Sequence, residues 1–186
     1  GVKKEIIQNE FFKKNEIHRC IVLPEADFSE CNILFSFSIA CAIECPNIQF
    51  LWRLHPLFSF DALIEKNAKF KELPTNVILS DCSLEEDLLS SRWALYRGTT
   101  TIIQAVGAGV QPVYLSLPQE MTIDPLYEID AWKPNISDVT SFRKVVEAKV
   151  TENDFNEMRK MIDYCTNFFL KFKSDQLLSY LQNGTI

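Results

Sequence analysis

Histidine is scarce. Only His18 and His55 occur in 186 residues, and none of the six cysteines forms a C-x-x-C pair. Structural zinc sites are built from such clusters, so none is expected, and no cofactor is expected either. No apolar run reaches the roughly 18 residues that a membrane span needs. The charged N-terminus lacks the apolar segment of a signal peptide. G-x-x-x-x-G-K-S/T and G-x-G-x-x-G are both missing, which disfavours an ATPase and a standard NAD enzyme. There is no D-x-D for a divalent ion, no internal repeat and no low-complexity tract. Basic residues are outnumbered, 19 Lys and Arg against 25 Asp and Glu, giving a formal charge of −6. That balance argues against a general nucleic-acid binder, which would normally carry a basic face, but leaves room for a local anion site.

What remains is ordinary globular material. Hydrophobic residues make up 47% and charged residues 24%, as in soluble domains, and the length suits one domain. The cysteines at 20, 31, 41, 45, 82 and 165 read as buried thiols in a reducing compartment. The expected location is the cytoplasm, extending to the inner face of a membrane. The chain opens Gly-Val without Met, which reads as a piece of something longer.

Ile21–Leu23 is a short apolar run ended by Pro24; Ile48–Leu54, Val77–Leu79, Trp93–Tyr96 and Pro112–Leu117 repeat the type. Such strands, without polar alternation, suit a parallel sheet covered on both faces. Helical patterns alternate with them. Asp27 or Ser29 can cap a helix running through Cys45, with Asp27 and Glu30 spaced like a capping box. Ser59–Phe70 reads as helix, Ser83-Leu84-Glu85-Glu86 as a capping box opening another, and Ile102–Ala108 as a third ended by Gly109, a residue that tolerates positive φ. Ser137 or Asp138 can start a helix to about Lys149, Thr151–Lys173 a longer one, and Gln176–Leu181 ends the pattern. The stretch between Pro118 and Pro134 yields no assignment. The predicted fold is α/β: a Rossmann-like three-layer sandwich with a parallel sheet. Residues 1–19 read as a surface helix or linker, 20–150 as the Rossmann-like domain, and 151–186 as helices packing on it.

Ligands in such sheets bind beyond the strand C-termini, which singles out three loops. After the first strand come Glu25, Asp27, Ser29 and Glu30. Capping explains Asp27 and Glu30; Glu25 precedes the helix and is the catalytic candidate. After the second strand comes R-L-H-P, where His55 can donate to phosphate or act as a general acid, or be a satisfied loop histidine. Arg53 beside it is either a ligand or the partner of a surface carboxylate. After the fourth strand comes Y-R-G-T-T-T. Gly98 allows close backbone approach. Thr99 and Thr100, with the free N–H groups of a helix start, make an anion cradle; one threonine would be enough for a cap.

Tyr96 to Leu115, Y-R-G-T-T-T-I-I-Q-A-V-G-A-G-V-Q-P-V-Y-L, resembles the C-terminal half of a GT-B glycosyltransferase. R-L-H-P resembles the His-Pro motif of GT-B enzymes that use CMP-sugars, the sialyl- and Kdo-type transferases. L-P-E, at Leu23–Glu25, is similar to the opening of bacterial surface-carbohydrate biosynthesis proteins. The resemblance covers about Ile21 to Pro125 and implies one half of a GT-B architecture that binds a nucleotide sugar without metal. His55 would contact or protonate the nucleotide phosphate, which Gly98, Thr99 and Thr100 would hold. Gln104 stands where many GT-B helices carry a ribose-binding Glu, a departure that puts a UDP-sugar in doubt. Arg53, Arg92 and Arg97 would be the cations for an acidic donor. The implied partners are a nucleotide sugar, CMP-linked by preference, a carbohydrate acceptor and a missing N-terminal domain, without which the chain would be inactive. The implied role is bacterial surface polysaccharide synthesis. A non-catalytic interaction domain of the same fold, or a sugar-nucleotide epimerase-like fragment, are the alternatives.

Overall fold

The structure is a computed structural model, described here for residues 11, 13–117 and 123–168. In chain order the elements are β1 (Arg19–Leu23), α1 (Phe28–Glu44), β2 (Gln49–Trp52), α2 (Phe60–Lys66), a 3-10 turn (Ala68–Lys71), β3 (Val77–Leu79), α3 (Leu84–Leu89), β4 (Trp93–Tyr96), α4 (Thr101–Gly107), β5 (Gln111–Leu115), β6 (Asn135–Ile136), α5 (Val139–Glu147) and α6 (Glu152–Phe168). The strands form one six-stranded sheet in the order β3-β2-β1-β4-β5-β6. Every pairing is parallel.

The unbroken apolar character of the strands follows from this topology, because alternate side chains face opposite layers. Cys20, Val22, Phe50, Trp52, Trp93 and Leu95 pack against α1, α2 and α5. Ile21, Leu23, Leu51, Ala94 and Tyr96 pack against α3, α4 and α6. In the first layer Trp52 stacks on Phe35 with ring centroids 4.2 Å apart. Its indole N–H donates to Ser38 Oγ at 2.8 Å. Ser38, which interrupts an apolar helix, therefore satisfies the one polar atom of a fully buried tryptophan.

The local signals act where the sequence puts them. Asp27, Ser83 and Asp138 cap α1, α3 and α5. Gly109 takes φ 73° just after α4. Two expectations are corrected and one element is added. The segment from Ser59 to Phe70 is not one helix, because the Asn67 side chain accepts the Lys69 N–H and bonds Asn32, ending α2 and starting the 3-10 turn. The fifth strand ends at Leu115 rather than Leu117. A sixth strand, Asn135–Ile136, lies in the stretch just after the unassigned segment. The predicted helix to Lys173 is described as far as Phe168, and the segment Gln176–Leu181 lies outside the described residues. Much of the predicted surface helix or linker over residues 1–19 does too. Among the described residues no helix is long and apolar enough to cross a membrane.

Candidate functional site

β1 and β4 are neighbours whose outgoing connections run to opposite faces and opposite ends of the sheet. Their C-terminal ends form the topological switch point, where a crevice opens in doubly wound sheets. The loops at 24–27 and 97–100 face each other across it.

Asp27 caps α1 by accepting the Glu30 N–H at 3.1 Å, and the Ser29 hydroxyl donates to the same carboxylate. These bonds hold Asp27 below the usual carboxylate range. Glu30 does not close the capping box. Its carboxylate instead accepts from Nε of Arg97 at 2.6 Å, with the arginine side chain 2% exposed. Arg97 thus bolts the β1 loop to the β4 loop.

Glu25 completes the cluster. A Cβ built on Gly98 would overlap the Glu25 carboxylate, so only glycine permits this approach. The carboxyl pKa is raised, by burial first and by the charge of Glu30 second, while the Gly98 N–H and Arg97 pull it down. Folding therefore favours the protonated form. The penalty on the ionised form is fully present above the raised pKa and fades as pH falls toward the ordinary value of 4.5. Glu25→Gln is thus expected to raise the melting temperature at pH 7, with the gain vanishing below about pH 4. An equal gain at both pH values would mean that charge is not the cause.

Thr100 occupies the N-cap of α4 but makes no side-chain cap bond. Thr99 Oγ1 instead accepts from the Thr101 N–H at 3.4 Å, leaving the Thr100 hydroxyl out of the cap. Thr101 lines a cleft of about 200 Å³ with Leu23, Pro24, Arg53, His55 and Leu84. His55 Nδ1 accepts from the Leu57 N–H at 3.3 Å. In the neutral ring this fixes the proton on Nε2, which is then a donor.

Other candidates are positioned differently. The Arg53 guanidinium donates to Asp87 at 2.6 Å and to the Cys82 carbonyl at 2.9 Å. It braces the loop before α3, although it also lines the His55 cleft. Gln104 is exposed and lines a groove with Leu84, Glu85 and Leu88 of α3, apart from His55. Arg92 is corrected outright. It precedes β4, so it stands at the strand's opposite end from Gly98, roughly 20 Å away at about 3.3 Å per residue, and cannot serve a ligand at the switch point. Asp87 and the Arg97–Glu30 pair carried no sequence signal beyond their charges.

No protein-family model and no curated protein sequence matches the chain. Solved structures do. Over 81% of this chain and 39% of the other, it superposes on the glycotransferase of kitacinnamycin with a TM-score of 0.57 and 12% identity. Over 80% and 39%, it superposes on the spinosyn forosaminyltransferase SpnP with a TM-score of 0.50 and 15% identity. SnogD from Streptomyces nogalater gives 0.48 at 15% identity, over 80% and 38%. The chain spans about two fifths of the length of these structures. The likeness is one of fold: a Rossmann-like parallel α/β sandwich, as in one half of the GT-B architecture.

Proposed function

We propose that this chain is the donor-binding half of a glycosyltransferase, holding a nucleotide sugar at the C-terminal edge of the sheet. The carrying observation is that His55, in the loop after β2, and Thr101, the first residue of α4 after β4, line one cleft at that edge. The fold shared with glycosyltransferase structures supports it. In glycosyl transfer, negative charge develops on the leaving phosphate, and oriented donors lower the barrier. His55 Nε2–H and the Thr99 and Thr100 hydroxyls are the donors this chain offers, since the first N–H groups of α4 already bond Thr99 and Thr100. A CMP-linked acidic donor, and a role in bacterial surface polysaccharide synthesis, rest on the His-Pro pair after β2 and the L-P-E opening. The acceptor and a second domain would complete the enzyme.

One observation favours a second reading. Glu25 already places a carboxylate over Gly98, where the first reading needs a phosphate. In a non-catalytic interaction domain that carboxylate would fill the cradle permanently.

Thermal shift with CMP, UDP, GDP and ADP separates the two. A nucleotide at 100 times its dissociation constant stabilises the chain by about 2.7 kcal/mol. His55→Ala is expected to weaken the binding by about 1–3 kcal/mol. No shift with any nucleotide would sink the donor site and leave the second reading.

A further inference from the structure

At the opposite edge of the sheet, the N-terminal ends of β4, β5 and β6 surround a cavity of about 440 Å³, within the size range of small-molecule sites. Arg92 forms part of its wall and is 9% exposed. Its Nη1 donates to the Asn15 carbonyl at 2.7 Å, its guanidinium lies 4.2 Å from the Trp93 ring centre, and its buried Nε has no hydrogen-bond partner. None of the described carboxylates pairs with it. Burial pulls its pKa down to about 10. A buried cation without a counter-charge is costly.

Cations outnumber carboxylates in the rest of the wall. Lys144 and Lys149 line the cavity from the end of α5 and the segment after it. Lys133, also in the wall, is paired with Asp124, and two carboxylates line the cavity too: Asp130, 3.5 Å from Lys133 Nζ, and Asp154, which accepts the Thr151 N–H and hydroxyl. Trp132 and Pro134 supply the apolar side. Trp132 holds φ 56°, a left-handed conformation costing a non-glycine residue about 1–3 kcal/mol and common at ligand clamps.

We propose that this cavity binds a small organic anion, its phosphate or carboxylate group countering Arg92, Lys144 and Lys149 and its carbon skeleton lying against Trp132. The site is separate from the switch point and stands whether or not a nucleotide binds there.

The test titrates the 186-residue chain with inorganic phosphate and, separately, with malonate, at ionic strength held constant with chloride. Melting temperature and tryptophan fluorescence are the readouts. A saturable rise with at least one probe is expected, and the probe that acts names the acid group. Lys144→Gln/Lys149→Gln, at exposed positions that leave the fold intact, should weaken the response about tenfold or more. His55→Ala should leave it unchanged. No response to either probe, an unaltered response in the lysine variant, or loss of the response in His55→Ala would each overturn the proposal.

Discussion

Replacing Lys133 with Met will lower the stability of the fold by about 3–5 kcal/mol, read from urea unfolding followed by tryptophan fluorescence. The Lys133 side chain is 3% exposed, and its ammonium donates to Asp124 at 2.6 Å and to the Leu126 carbonyl at 2.8 Å. Asp124, with 10% of its side chain exposed, also accepts the Tyr96 hydroxyl at 2.8 Å and the Leu126 N–H at 2.9 Å. The network ties the segment before β6 to the last residue of β4. Removing the ammonium leaves Asp124 ionised, buried and served by neutral donors alone. The Asp124 charge also pushes the Tyr96 hydroxyl pKa up, behind burial. Lys133→Met/Asp124→Asn removes both charges while the amide oxygen still accepts from Tyr96 and Leu126, and should recover much of the loss, because no buried charge is left unpaired. A single-variant loss under 1 kcal/mol would mean that water already serves this pair.

Lys133 and Asp124 also show where sequence reading stops. The sheet was legible because each buried parallel strand writes its own apolar run, and caps were legible because they act within four residues: Asp27 on Glu30, Ser83 on Glu86, Asp138 on Ser141. β6 was not, since two residues carry no period. Partner choice among charges was not legible either. Asp27-x-x-Glu30 and Ser83-x-x-Glu86 have the same spacing, yet only the second closes its box. Glu30 is diverted by an arginine 67 residues away in sequence, a competitor that appears only once β1 and β4 are neighbours. Arg92 and Arg97 lie five residues apart, and both looked available to one ligand. A four-residue strand separates them to opposite edges of the sheet. The three loops at the strand C-termini were readable from the apolar runs that precede them. The carboxylate over Gly98 was not, because it depends on how two loops pack.

Arg97→Met is expected to cost about 3–5 kcal/mol at pH 7, since it breaks a buried pair and leaves Glu25 and Glu30 facing each other. Burial first and the Glu30 charge second push the Glu25 pKa up, and Arg97 opposes that rise. Without the guanidinium the folded-state pKa of Glu25 must climb further. The folded variant then holds protons more tightly than its unfolded chain, so its deficit against wild type shrinks as pH falls through the carboxylate range. Guanidinium unfolding at pH 7 and pH 4 measures both quantities. A deficit that does not change with pH would assign the loss to packing alone. On the proposed donor-site reading, nucleotide affinity adds an independent cut. Arg97→Lys keeps the charge but not the flat fork that donates to Glu30. If Arg97 acts by countering charge at the switch point, Lys should restore nucleotide binding while stability stays reduced. If it acts only by bolting the loops together, binding and stability should fall together in both variants.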